Sequence, residues 1–467
     1  MTALEQLGVF VAHADAPSAG LRETLELHVV DTIGAWLASA RTAEGAALLR
    51  WRKALRDVAP SPFGPAHPPR LDVATHCALA RMSEIDDIHL ASTTTPGAIV
   101  IPGAIAAAAG LPSRDPAAAA APGALAAAMI AGYEVMVRLG QAIDGAAILY
   151  RGIWPTYFTA PVGMAAVAAR LLGLDARRVA HALALALTRA APGVGHHGAA
   201  TTARWLAIGQ AAEAGLVAAV AARAGFTSDL ALLDGGFLPR IYDVKPDTAA
   251  LTGGLGDRFA LAEVSLKPWC AARQTMAATQ ALIEIVRSGV PADSIAHVKA
   301  FVLPPHRAMI DHRVATGDRA SFLTSLPYRM AVAAVAPQAA FEVGQAPKQV
   351  AETIRAFMAR IAIEPDDALL ADYPRQWPAR VEAATLSGRL VRSVTHVPGD
   401  PARPYDAAAV QEKFRRFVEP ALGAAAASTL LQQARGLLSG QTAPAQLLKE
   451  IESACGITHD PAQKSTP

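Results

Sequence analysis

An apolar period of about four residues, sustained from the N-terminus to about residue 265, constrains this chain more than any other feature. Leu21, Leu25, Val29, Ile33 and Leu37 recur at every fourth position, the stripe that one face of a buried helix presents. Asp175 stands where a helix cap belongs, opening a helix expected to reach Ala190, and Gly173 stops the helix before it. Arg204 to Ala224 reads as another helix, with Gly225 just past its end. Much of the 52% hydrophobic content is alanine, and aromatics contribute only 5%. Alanine is the best helix former and lets helices approach closely, so the pattern predicts a tightly packed helical domain.

The period changes after residue 290. In AHVKAFVLP, Val298, Ala300 and Val302 alternate as a strand does, and ARVEAATLSGRLVRSVTHV reads as a hairpin turning at Ser387–Gly388. Ser321 to Val335 and Ala346 to Ile361 read as helices between them. A proline-containing linker, Asp400 to Asp406, then returns the chain to a helical pattern that runs to about Ile451. The expectation is a mainly α fold in two domains. Residues 1–265 and 402–467 form a helical domain, interrupted by a smaller α+β domain over 266–401. The polar tail after Gly456 is expected to be disordered.

Charge and motifs narrow the function. A net charge of +2 over 467 residues gives no electrostatic footprint for nucleic acid or an anionic membrane. The uncharged stretch Leu90–Ser113 is interrupted by Pro96, Pro102 and Pro112, and Pro116–Tyr133 is broken at Pro122 and Gly123. Burial in a soluble core accounts for both better than a membrane span. The start, MTALEQLGVFVAHADAPSAG, has no basic region and carries Glu5 early, so no secretory leader and a cytoplasmic location are expected. Cys77, Cys270 and Cys455 are odd in number, far apart and without zinc-site spacing. No Walker loop, HExxH, GxSxG or strand-linked GxGxxG occurs, and Gly253–Gly254–Leu255–Gly256 lacks a βαβ setting. His196–His197 diverge on any regular element and have no partner at ligand spacing; His306 and His312 fare no better. Neither a metal nor an organic cofactor is called for.

The informative stretch is ARMSEIDDIHLASTTTPGAIVIPGAIAAA. Glu84, Asp86 and Asp87 precede a Thr/Pro/Gly loop and an alanine-rich helix. On a local helix Glu84 and Asp87 share a face, and like-charge repulsion then lets one carboxylate keep a proton for acid–base work. Helix-end capping with solvated charge explains the same residues.

This stretch resembles the MmgE/PrpD family, which includes 2-methylcitrate dehydratase, cis-aconitate decarboxylase and iminodisuccinate epimerase. HVVDTIGAWLASA is similar to the family's N-terminal helix, and AGYEVMVRLGQAI to its central GYE helix. RGIWPTYFTAPVGMAAVAARLLGLDARRVAHAL resembles its GWHPT segment and following LLGLD, and SLKPWCAARQTM its KPYPxCRxTH element. SLPYRMAVA resembles the S-x-PY helix, and YPRQWPARVEAATLSGRLVRSVTHVPGDPARP with EKF resembles the end of the small domain and its linker. The resemblance implies a helical domain built from both chain ends with a small α+β lid inserted. It also implies a homodimer, no metal or organic cofactor, and a site between the domains near Lys267.

Departures from the family pattern fall in the implied site. The acidic motif, usually D-x-D-D-T followed by H-P-G, here has Glu84, Ile88 and Thr95 at its altered positions. The GWHPT histidine is Trp154, and in T-K-P-x-H-x-G the lysine becomes Arg204 and the histidine Ala207. Asp86, Asp87, Lys267, Cys270, Arg273 and Tyr328 are retained. Three imidazoles and a hydroxyl give way to a drier set, while Arg204 keeps a cation with a fork suited to one carboxylate. The expected substrate therefore has fewer carboxylates and more apolar surface than methylcitrate. Lys267 is the expected base if a dry site lowers its pKa, with Tyr328 as proton donor and Glu84, Asp87 and His197 as further acid–base candidates. Arg204, Arg273, Trp154, Ile88, Thr95, His196 and Tyr150 are the expected substrate contacts. The resemblance implies a cofactor-independent lyase or isomerase, and the lost histidines leave open a relative that has lost catalysis and binds a ligand.

Overall fold

The computed structural model describes residues 1–58, 72–111, 122–190 and 202–457. His196, His197 and the tail beyond residue 457 lie outside the described residues. Most of the chain is helical, and its buried side chains gather into two principal cores. The larger core takes side chains from Ala3 through Leu266 and again from Val410 through Ile457. The smaller lies wholly between Trp269 and Val397.

Small residues set the packing of the larger core. Helix Pro155–Leu171 packs against both Pro122–Ala142 and Ala203–Arg223. A Cβ added at Gly215 would run into the Pro161 carbonyl, and one at Gly163 into Met136, so helix axes approach closely where the chain is smallest. Pro122–Ala142 and Ala203–Arg223 are long and apolar enough to cross a membrane by length and composition. The first, however, is 89% buried inside this fold over its most apolar window. The Asp175-capped helix ends at Leu187, somewhat earlier than its pattern suggests, and Asp175 accepts from the Arg178 amide.

Among the described residues six strands form two sheets. β1 (Ile88–His89) and β2 (Val264–Ser265) make a short antiparallel pair, with Ile88 opposite Ser265. The other four, β3 (Ile295–Val302), β4 (Ile361–Pro365), β5 (Ala379–Thr385) and β6 (Gly388–Val394), form a sheet in the order β4-β3-β5-β6. β3 and β5 appear as their alternation predicts, but the hairpin turns one residue earlier, at Leu386–Ser387, and Gly388 opens β6. The helix expected over 346–361 shrinks to Glu352–Met358, and the residues after it form β4, parallel to β3. The helix expected over 321–335 is two: Arg319–Thr324 and Leu326–Val335, with Ser325 between them. Pro327, in the first turn of the second, has no amide to continue the earlier ladder.

Candidate active site

The acidic segment is shaped by how one helix stops. Helix Val73–Met82 begins at Asp72, whose side chain accepts from the Thr75 amide, and ends at Ser83. Glu84 then takes a left-handed backbone conformation at φ 59°, rare for a residue with a Cβ and worth about 1–3 kcal/mol of strain. That turn folds Glu84 back so that its carboxylate meets Arg81 at 2.9 Å. Three distant segments fix the loop in place. Arg319 of the smaller domain donates to the carbonyls of Met82 and Ser83, the Cys270 thiol to Ser83, and Lys413 of a C-terminal helix to Ile85.

The β1–β2 pair brings the segment before Lys267 alongside the acidic loop. The buried Lys267 Nζ lies 3.1 Å from Glu84 Oε2 and 3.0 Å from Asp86 Oδ1, and Arg81 reaches the same Asp86 oxygen at 3.3 Å. Burial alone would raise the Glu84 carboxyl, but Arg81, Lys267 and Arg204 outweigh it and hold Glu84 well below the usual carboxylate range. At Asp86 burial prevails over Arg81 and Lys267, and the carboxyl is raised. Lys267 donates to both carboxylates. That is an ammonium's role and not the role expected of a base, which needs a free lone pair.

Arg81, Glu84 and Lys267, but not Asp86, line a cleft of about 60 Å³, room for roughly four or five waters. Arg81, Glu84, Ile88, Thr93, Thr95, Trp154, Thr156, Arg204, Lys267, Arg273 and Gln274 form much of its wall, with Leu149, Met309 and Leu323 as apolar parts. Thr156 Oγ1 accepts from the Thr95 amide at 3.0 Å, joining the Thr/Pro/Gly loop to the start of helix Pro155–Leu171. The Arg204 guanidinium lies over two indoles, 4.5 Å from the Trp205 centroid and 5.5 Å from that of Trp154. Arg204 is 7% exposed, and its buried Nε has no hydrogen-bond partner among the described residues. Arg273 is paired through Nη2 to both Asp400 oxygens at 2.9 and 2.8 Å, while its Nε and Nη1 are buried without partners among the described residues.

Two of the candidate acid–base residues belong elsewhere. Asp87 is turned into the helical core, where its oxygens accept from Tyr133 Oη at 2.7 Å, His28 Nδ1 at 2.9 Å and the Gly97 amide at 2.8 Å. Those bonds tie together helices Ala19–Ser39, Gly97–Gly110 and Pro122–Ala142, and Asp87 is not on the cleft wall. Tyr328 sits in the smaller core, edge-on to Phe322 at 4.8 Å, with its phenol pushed up to about 12 by burial. Tyr150 stays off the wall but hydrogen-bonds Gln274, which is on it. The Cys270 thiol is raised by burial and acts as a clasp on Ser83. Among the described residues no three His, Cys, Asp or Glu side chains converge as a metal site.

Sequence reasoning did not single out Arg81, Trp205 or Tyr157. Arg81 was detectable as the opposite charge three residues before Glu84, and Trp205 as the neighbour of Arg204. Tyr157 carries a buried hydroxyl with no partner among the described residues, in the field of Arg81, Arg204 and Glu84, and burial pushes it up to about 12.

Comparison with known proteins agrees with this architecture. The MmgE/PrpD N-terminal domain matches residues 5–245, and the MmgE/PrpD C-terminal domain matches residues 269–437. No individual curated protein matches significantly. With two consecutive domain matches spanning most of its length, the chain belongs to the MmgE/PrpD family.

Proposed function

We propose that this protein is a cofactor-independent lyase or isomerase that removes a proton beside the carboxylate of a small, relatively apolar acid. The observation that carries the reading is Arg204: a buried guanidinium over two indoles, on the cleft wall, with no carboxylate at ion-pair distance among the described residues. Family membership supplies the reaction class, since the family contains dehydratase and lyase-like enzymes.

In this reading the substrate carboxylate docks on Arg204, and Glu84, the carboxylate on the wall, accepts the proton. Glu84 is ionised at neutral pH because Arg81 and Lys267 hold it. The same cations make it a weak base. That cost is offset because negative charge leaves Glu84 as it develops on the substrate, within reach of Lys267, Arg81 and Arg204. Elimination, decarboxylation, epimerisation and cyclisation all fit a carbanion held this way.

A second reading is a relative that binds its ligand without turnover. It is favoured by a cleft wall with no histidine among its described residues and by a lysine already committed to two carboxylates. Incubating the protein with small mono- and dicarboxylates and following them by proton NMR separates the two. Consumption of a small carboxylate that is lost in Arg204→Gln supports the enzyme. Binding without consumption supports the second reading, and turnover of 2-methylcitrate or cis-aconitate at ordinary enzymatic rates contradicts the proposed substrate.

A further inference from the structure

The four cations on the cleft wall are not equivalent. Arg81 and Lys267 share Glu84, at 2.9 and 3.1 Å, and Arg273 is committed to Asp400 at 2.8 Å. Arg204 alone of the four has no carboxylate at ion-pair distance among the described residues. Its guanidinium carbon lies 4.5 and 5.5 Å from the ring centroids of Trp205 and Trp154, neighbours that supply no hydrogen-bond acceptor and leave its donors for a ligand. One unpaired cation suits one anionic group. A second carboxylate would be stripped of water without a partner, which is costly in so small a space.

Arg273 offers something different. Its charge is met by Asp400, yet at a residue 2% exposed Nε and Nη1 remain buried and without a partner among the described residues. Donors on an already neutralised group suit an uncharged oxygen better than a second anion. We propose that the cleft selects a monocarboxylate bearing one further, uncharged oxygen acceptor, with the carboxylate on Arg204 and the neutral oxygen on Arg273. This rests on reading the cleft as the substrate site.

Three acids of similar length test it by calorimetric titration of the whole protein: 4-oxopentanoate, succinate and pentanoate. The first has one charge and a ketone, the second two charges, and the third one charge and no second oxygen. The expected result is that 4-oxopentanoate binds at least tenfold more tightly than either of the others. Arg204→Gln is expected to weaken it at least tenfold. Should that variant fail to fold, the ranking in the unaltered protein still decides. Succinate binding as tightly or more tightly overturns the proposal, as does pentanoate equal to 4-oxopentanoate, or no binding of any of the three. Turnover is scored separately. The expected ranking without turnover of any small carboxylate keeps the ligand class and removes the lyase reading. Turnover of a dicarboxylate with the reverse ranking keeps the enzyme and removes the ligand class.

Discussion

Arg204 and Asp87 illustrate opposite fates for a buried charge. Arg204 lies beside aromatic rings on the cleft wall with no carboxylate at ion-pair distance among the described residues, and Asp87 accepts from three donors away from it. Losing the docking donors of Arg204 is expected to lower kcat/KM by roughly 10- to 100-fold in Arg204→Gln, the equivalent of about 1.5–3 kcal/mol for a charged hydrogen bond; steady-state kinetics on the substrate checks this. Asp87→Ala acts on stability instead. It strands the Tyr133 hydroxyl, the His28 ring and the Gly97 amide, and denaturant melts should show a loss of about 3–5 kcal/mol. His306 adds a pH dependence. Burial, helped by Arg273, pushes its imidazole down to about 3 from 6.5, so the unfolded chain binds a proton that the fold refuses. Stability from this residue is full above about pH 6.5 and declines as the pH falls toward 3, by about 2 kcal/mol between pH 7 and 5. Melts across that range should flatten in His306→Gln; an unchanged slope contradicts the assignment. The position of Arg204 was legible because a cation replaced a cation in a recognisable segment. The direction of Asp87 was not, because it depends on the left-handed backbone at Glu84 three residues earlier.

At the scale of elements, the site depends on short, irregular pieces lying between regular ones. The turn after helix Val73–Met82, the β1–β2 pair and the start of helix Pro155–Leu171 place Glu84, Lys267 and Trp154 on one cleft. Gly97 shows how tightly they are fitted. A Cβ there would lie 2.5 Å from Asp87 Oδ2 and 2.7 Å from the Tyr133 hydroxyl. Gly97→Ala is therefore expected to cost about 1–3 kcal/mol through overpacking, read as a lower denaturation midpoint at unchanged slope. Periodicity announced the long elements, such as Ala203–Arg223 and the β5–β6 hairpin, because many residues repeat one local rule. It did not announce β4, five residues whose partner β3 lies some sixty positions away, nor the two-residue strands that join loop to loop. Those pairings are tertiary, and local spacing carries no trace of them.

For the whole molecule, two cores with separate chain segments meet at the cleft. Arg81, Glu84, Trp154 and Arg204 come from the part that builds the larger core, and Arg273, Met309 and Leu323 from the span that builds the smaller. Lys267 sits at the crossing between them, where the Leu266 amide donates to the Gly399 carbonyl. The break in periodicity near residue 290 and the linker after Asp400 showed that a second unit interrupts the first. How the two faces oppose one another, and which charges meet there, emerged only in three dimensions. The central claim is that Glu84 takes a proton from a substrate whose carboxylate sits on Arg204. Its most direct test is deuterium uptake from D2O into the carbon beside the carboxylate of a bound acid, with the unaltered protein and Glu84→Gln compared by NMR. The account predicts uptake by the unaltered protein and a loss of at least a hundredfold in Glu84→Gln, with ligand affinity retained. Equal uptake by both proteins would contradict it.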